Sequence, residues 1–182
     1  MPRFGLVVEG SYDEAALTEL IHKCAHSQVD VIGRPCGSKQ ALMKRFPGFL
    51  EEFRYGSDIN KALVVRDANN EDPADLIKRM QSKVPDRVYP FPVKLLTIVR
   101  ELEAWLLADE IAISAVTGKK PSMVQKPENL GNPKERLEKV LSEARIAYTA
   151  EVARKIAASV TIETLKARCP SFKQFCEAVF DC

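Results

Sequence analysis

Leu6-Val7-Val8-Glu9-Gly10-Ser11-Tyr12-Asp13-Glu14-Ala15-Ala16-Leu17 is the stretch on which the fold turns. The residues up to Val8 are apolar and end β-branched, which predicts a strand buried on both faces, as in a parallel sheet. Gly10 permits a tight turn. Ser11 is placed to cap a helix, and Glu14 three residues on completes a capping box. Ala16, Leu17, Leu20, Ile21 and Cys24 then recur at helical spacing up to Ala25. A strand that turns directly into a helix leaves Glu9 at its carboxyl end, where open α/β sheets collect their ligands. Asp13, in the first helical turn, can face the same crevice.

Working outward, Ala62-Leu63-Val64-Val65-Arg66-Asp67-Ala68-Asn69-Asn70-Glu71-Asp72 repeats the design. A second apolar strand ends in acidic and amide residues, and Pro73 suits the first turn of a helix. If the two strands are neighbours in a parallel sheet, Glu9, Asp13, Asp67 and Asn69 converge at one edge. Oxygen ligands gathered in this way suit a hard cation, Mg²⁺ or Mn²⁺.

Glu9-Gly10-x-x-Asp13 after a first strand and Asp67-x-Asn69 after a later one resemble the Toprim domain of topoisomerases, primases and OLD-type nucleases. Arg100-Glu101-Leu102-Glu103-Ala104-Trp105-Leu106-Leu107-Ala108-Asp109 is similar to a stand-alone Toprim-like family of unknown function related to the OLD nucleases. The resemblance covers about Arg3 to Lys134. It implies a metal site that includes Glu101 and Glu103, and a late lysine, Lys134, that stabilises charge on a scissile phosphate. The sequence departs from the pattern at Asn69, where the second Asp of Asp-x-Asp is expected. An amide supplies an oxygen without a charge, so a second metal would be held more weakly. On periodicity alone, Glu101 and Glu103 are acidic residues at a helix start. They lie about 200° apart on a regular helix, so both reach one metal only if that helix begins irregularly, and Glu101 is nearer the strand.

The remaining sequence sets the frame. The 182 residues suit one domain, or one domain with an appended subdomain. Hydrophobic content of 46% with 29% charged residues is that of an ordinary globular chain. The net charge of +2 gives no global field toward nucleic acid, so any such contact must come from a local basic patch. No signal peptide or transmembrane run is read, which gives the expectation of a cytoplasmic chain without membrane contact. The five cysteines form no CxxC pair and are read as buried thiols; Cys169, Cys176 and Cys182 could share one face.

Gly37-Ser38-Lys39 opens the next helix. Its amides and lysine can hold a phosphate, or it is a glycine turn followed by an exposed lysine; both readings stand. The helix from Gln40 to Phe53 is expected to break into two at Pro47, and Tyr55 to Asp58 to form a loop. Val29 to Gly33, Val88 to Pro92 and Val93 to Val99 are read as extended, and Ala74 to Lys83 as helical. The alternation predicts an α/β fold, a Toprim-like, Rossmann-like and mainly parallel sheet flanked by helices. Residues 1–110 form that core, and residues 111–182 form a C-terminal helical subdomain packed on it. Lys119, Lys120, Lys126, Lys134 and Arg136 are the basic cluster with loop access, either for a nucleic-acid backbone or as a solvated surface.

The expected function is metal-dependent phosphodiester hydrolysis, with Glu9, Asp67 and Lys134 as catalytic residues. The resemblance adds DNA as the favoured polymer, a role in phage defence and a separate ATPase partner. A homodimer is compatible with the chain. Two alternatives stay open: a Toprim-fold module that only holds metal or phosphate, and a small-molecule phosphohydrolase or phosphotransferase. No tyrosine among Tyr12, Tyr55, Tyr89 and Tyr148 has the context of a nucleophile, so water takes that role.

Overall fold

The computed structural model describes residues 1–56 and 58–181. Ser57 and Cys182, read above as part of a loop and as a neighbour of two other thiols, lie outside the described residues. Four strands, β1 (Arg3–Val8), β2 (Asp30–Pro35), β3 (Lys61–Asp67) and β4 (Val93–Ile98), form one sheet in the order β2-β1-β3-β4. Every pairing is parallel. This is an α/β, Rossmann-like architecture, and β1 and β3 are direct neighbours, with Val7 opposite Val64.

Strand alternation sends side chains to two faces. Phe4, Leu6 and Val8 of β1, with Leu63 and Val65 of β3, join one buried cluster with α1 (Ser11–Ala25) and the later helices. Val7, Ala62 and Val64 join the other, against α2 (Lys39–Gly56) and α3 (Pro73–Gln81). Close packing on this second face depends on Gly5, because a Cβ there would lie 2.5 Å from the Phe53 ring.

After β4 come α4 (Leu102–Leu106), α5 (Glu110–Thr117), a 3₁₀ turn at Pro127–Asn129, α6 (Pro133–Glu143), α7 (Ala150–Ser159), α8 (Ile162–Arg168) and α9 (Pro170–Phe180). The C-terminal segment is helical and packs on the sheet, sharing a single buried cluster with β1, α1 and β3. Trp105 is fully buried against Phe172 and Phe175. Its indole N–H donates to Ser171 Oγ at 3.0 Å, and the Ser171 hydroxyl donates to buried Glu128. The ammonium of Lys61, 2% exposed, donates to the carbonyls of Ala178, Val179 and Asp181, where α9 leaves its last oxygens unpaired.

Several expectations change. Gly10, in extended conformation, is the N-cap of α1, and Ser11 is already helical. The N3 carboxylate is therefore Asp13, which accepts the Gly10 N–H at 2.9 Å, and Glu14 instead lies over Gly33. Helix α2 does not break at Pro47. The proline removes only the bond to the Met43 carbonyl, both residues border an open groove, and Leu42, Phe46, Leu50 and Phe53 hold the two halves on the sheet. Residues 88–92 form no strand. Cys24, Cys36, Cys169 and Cys176 are free and buried. Cys24 of α1 and Cys176 of α9 influence each other's ionisation, and Cys169 and Cys176 lie in the same buried cluster. No helix among the described residues is long and apolar enough to cross a membrane.

Candidate functional site

The carboxyl ends of β1, β3 and β4 open on a cavity of about 240 Å³, lined by Glu9, Asp13, Asp67, Glu101, Glu103 and Lys134, with Gly37, Ser38, Gly10 and Tyr12 completing its wall. Each side chain is delivered by a local device. Glu9 follows the last residue of β1, and Asp67 ends the adjacent β3. Asp13 is fixed by its bond to the Gly10 amide. Glu101 is the extended N-cap of α4, one residue before the helix begins, and that irregular start lets Glu101 and Glu103 both reach the cavity. Lys134 stands in the first turn of α6, where its backbone N–H donates to Glu101 Oε2 at 3.1 Å. Its ammonium lies over the Tyr12 ring, 5.6 Å from the centroid.

Crowding like charges in a partly dry cavity raises the cost of ionising them. Asp67 keeps some accessible surface into the cavity, but its carboxyl is otherwise enclosed. Burial, with the charges of Asp13, Glu9 and Glu103, pushes it well above the usual range, while the Leu102 N–H opposes this. Burial raises Asp13 to about 6, against the pull of the Gly10 amide. Glu103 is likewise pushed up to about 6 by burial, although the Tyr148 hydroxyl donates to it at 3.0 Å. Burial also raises Glu9, which Arg66 offsets. Glu9 Oε1 and Arg66 Nε face each other at 3.8 Å, and neither buried atom has a hydrogen-bond partner among the described residues.

Two expected members lie elsewhere. Asn69 takes a left-handed conformation, φ 52°, beside Arg100 at φ 66°, and its amide N–H donates to the Arg100 carbonyl at 2.7 Å. That turn directs Asn69 to a neighbouring cavity with Asn70 and Arg100, away from the carboxylates. Lys39 lies outside the cavity that Gly37 and Ser38 line. Gly37 itself is left-handed at φ 99°, a conformation that favours glycine, and its N–H donates to the Glu9 carbonyl at 2.7 Å. The loop cations are partly spent on local ties: Lys119 Nζ donates to the Glu143 carbonyl and Arg136 to Ser122 Oγ.

The stretch from Glu9 to Lys134 that builds the cavity falls inside residues 8–179, which match the family model described as a domain of unknown function (DUF4276). The chain belongs to that family. No curated protein and no solved structure matches it. Among the described residues of this DUF4276 chain, no three His, Cys, Asp or Glu side chains form a ready-made metal cage. The chemistry of the donors nevertheless fits a hard cation. They are all oxygens, they repel one another, and Glu9 keeps a buried oxygen with no hydrogen bond.

Sequence reasoning missed Arg66 and Tyr148. Arg66 adjoins Asp67 in the chain, and a cation next to a strand-end carboxylate was a usable signal. Tyr148 arrives from the segment between α6 and α7, where no local pattern announces a contact with Glu103.

Proposed function

We propose that this chain is a metal-dependent nuclease that hydrolyses phosphodiester bonds, in the manner of the Toprim-like proteins its sequence resembles. The observation that carries the reading is the meeting of Glu9, Asp13, Asp67 and Glu103, drawn from three strand ends, in one cavity with Lys134 on its wall. Glu9 and Asp67 are the residues that would hold the ion, with Asp13, Glu101 and Glu103 beside them. Mg²⁺ or Mn²⁺, when bound, polarises a phosphoryl oxygen and lowers the pKa of bound water.

The side chains supply the remainder. Lys134 is exposed and in place to meet the negative charge that grows on a phosphate. Asp13 and Glu103 stand beside the pair that would hold the ion and add carboxylate oxygens to the same cavity. Tyr148 fixes the orientation of Glu103. The resemblance extends the proposal to DNA, to phage defence and to an ATPase supplied by another chain.

Cleavage of supercoiled plasmid with Mg²⁺ and with Mn²⁺ tests it. Nicking by the native chain should be lost, by 10²-fold or more on the order expected for charge stabilisation, in Glu9→Ala and Asp67→Ala. An intact plasmid with a small phosphate ester hydrolysed instead would point to a phosphohydrolase. An intact plasmid with no turnover at all would leave a module that only holds metal or phosphate.

A further inference from the structure

Beside the carboxylate cavity runs a larger, solvent-open groove of about 790 Å³ between α2 and α3, bordered by the end of β3. Lys39, Lys44, Arg66, Arg79 and Lys83 line it against one carboxylate, Glu71. Five cations to one acid is a strong local excess in a chain whose whole net charge is +2. Lys39, Met43 and Pro47 follow one another at four-residue spacing, so α2 presents a single face to the groove. Glu71 accepts from Arg66 at 2.5 Å and pairs with Arg79, which holds the two guanidinium groups in place. Lys39, Lys44 and Lys83 form no ion pair among the described residues. The Arg66 side chain is only 6% exposed, and its Nε has no hydrogen-bond acceptor among the described residues.

We propose that this groove is the track for a nucleic-acid phosphate backbone, leading into the carboxylate cavity across Arg66 and Lys39. The groove meets the cavity at two points: Arg66 faces Glu9 at 3.8 Å, and Lys39 directly follows Ser38 of the cavity wall. Its volume exceeds what one phosphate needs, and its cations are spread over three elements. Among the described residues no aromatic ring lines it and its apolar side chains are Met43 and Pro47, so it offers no platform on which a base can stack. Cations without a stacking platform describe contact with the backbone that is independent of sequence. The loop lysines singled out above lie outside this groove.

The inference rests on a polynucleotide being the substrate of the neighbouring cavity, and its test is separable from cleavage. Binding of a labelled 20-nucleotide duplex and of a single strand is measured by anisotropy in EDTA across a salt series. Three proteins are compared: the native chain, Lys44→Glu/Lys83→Glu, and Lys139→Glu/Lys173→Glu, which makes the same charge change on α6 and α9. All four lysines are exposed, so melting in EDTA should stay close to native. The groove variant should bind about tenfold more weakly or worse, and its salt slope should fall by about 1.4–1.8 for two lost phosphate contacts. The distant pair should bind like native, and Asp67→Asn should keep binding even with cleavage gone. Equal losses in both double variants, or no native binding in EDTA, would overturn the track. Plasmid nicking that persists unchanged in the groove variant would overturn it while leaving the nuclease reading intact.

Discussion

Asp67 stands against three negative neighbours, and its ionisation is opposed by Asp13, Glu9 and Glu103 as well as by burial. An amide of the same shape removes that repulsion. Asp67→Asn should therefore stabilise the chain in EDTA, on the order of 1 kcal/mol, an ordinary size for a single substitution that relieves a buried clash of charge. For a chain of this length the melting temperature should rise by about 2–4 °C. The dependence on pH follows from linkage. A carboxyl whose pKa is raised on folding binds its proton more tightly in the folded state, so its penalty is absent well below the unfolded value and grows as the pH rises. The gain from Asp67→Asn should thus be small near pH 4 and larger at pH 7.5. A gain that is flat or reversed across that range would contradict the electrostatic account. Asn69 gives the opposite lesson at the same scale: two positions away, its left-handed backbone carries it out of the cavity altogether.

At the scale of the element, helix ends do most of the positioning. The capping device of α1 uses Gly10 and Asp13 where the local pattern favoured Ser11 and Glu14; both pairs satisfy the same spacing, so spacing alone does not choose between them. Pro47 misled for a related reason: the apolar face of α2 outweighs one lost backbone bond. Neither fact is written in local sequence. At the start of α4 the sequence posed a condition, that Glu101 and Glu103 face one site only if the helix begins irregularly, and Glu101 is found as an extended N-cap before the first helical residue. Lys61 makes a stability test at this scale. Its buried ammonium closes the carboxyl end of α9, and bonds to a charged donor contribute about 1.5–3 kcal/mol. Lys61→Ala should lower stability by about 2–3 kcal/mol, seen as a melting temperature lower by roughly 5–10 °C, with divalent binding retained. A change under 1 °C would rule out this role.

For the whole molecule, the alternation of strands and helices was sufficient to foresee a parallel sheet and the meeting of Glu9 and Asp67 at one edge, because parallel strands place all their carboxyl ends together. The basic groove was not foreseen: Lys44, Arg66 and Lys83 come from separate elements with no shared motif. On the proposed function, an ion held in the cavity would couple it to global stability. At a hundredfold excess over its dissociation constant, a ligand of the folded state adds about 2.7 kcal/mol, or roughly 5–11 °C here. Mg²⁺ or Mn²⁺ should raise the melting temperature of the native chain by that order, and Glu9→Ala and Asp67→Ala should abolish the rise. An equal rise in all three proteins would place the ion elsewhere.

The packing of α1 carries a consequence in time. Its buried residues Ala16, Leu17, Leu20, Ile21 and Cys24 share a cluster with Ala153, Ile156 and Ala157 of α7, more than a hundred residues later in the chain. At about 5–20 residues per second, roughly 6–25 s of synthesis separates one face from its cover. During that interval the apolar face of α1 has only earlier residues of the cluster, such as Phe4, Leu6, Val8 and Val29, to pack against, so its burial is completed only when α7 and the helices after it arrive.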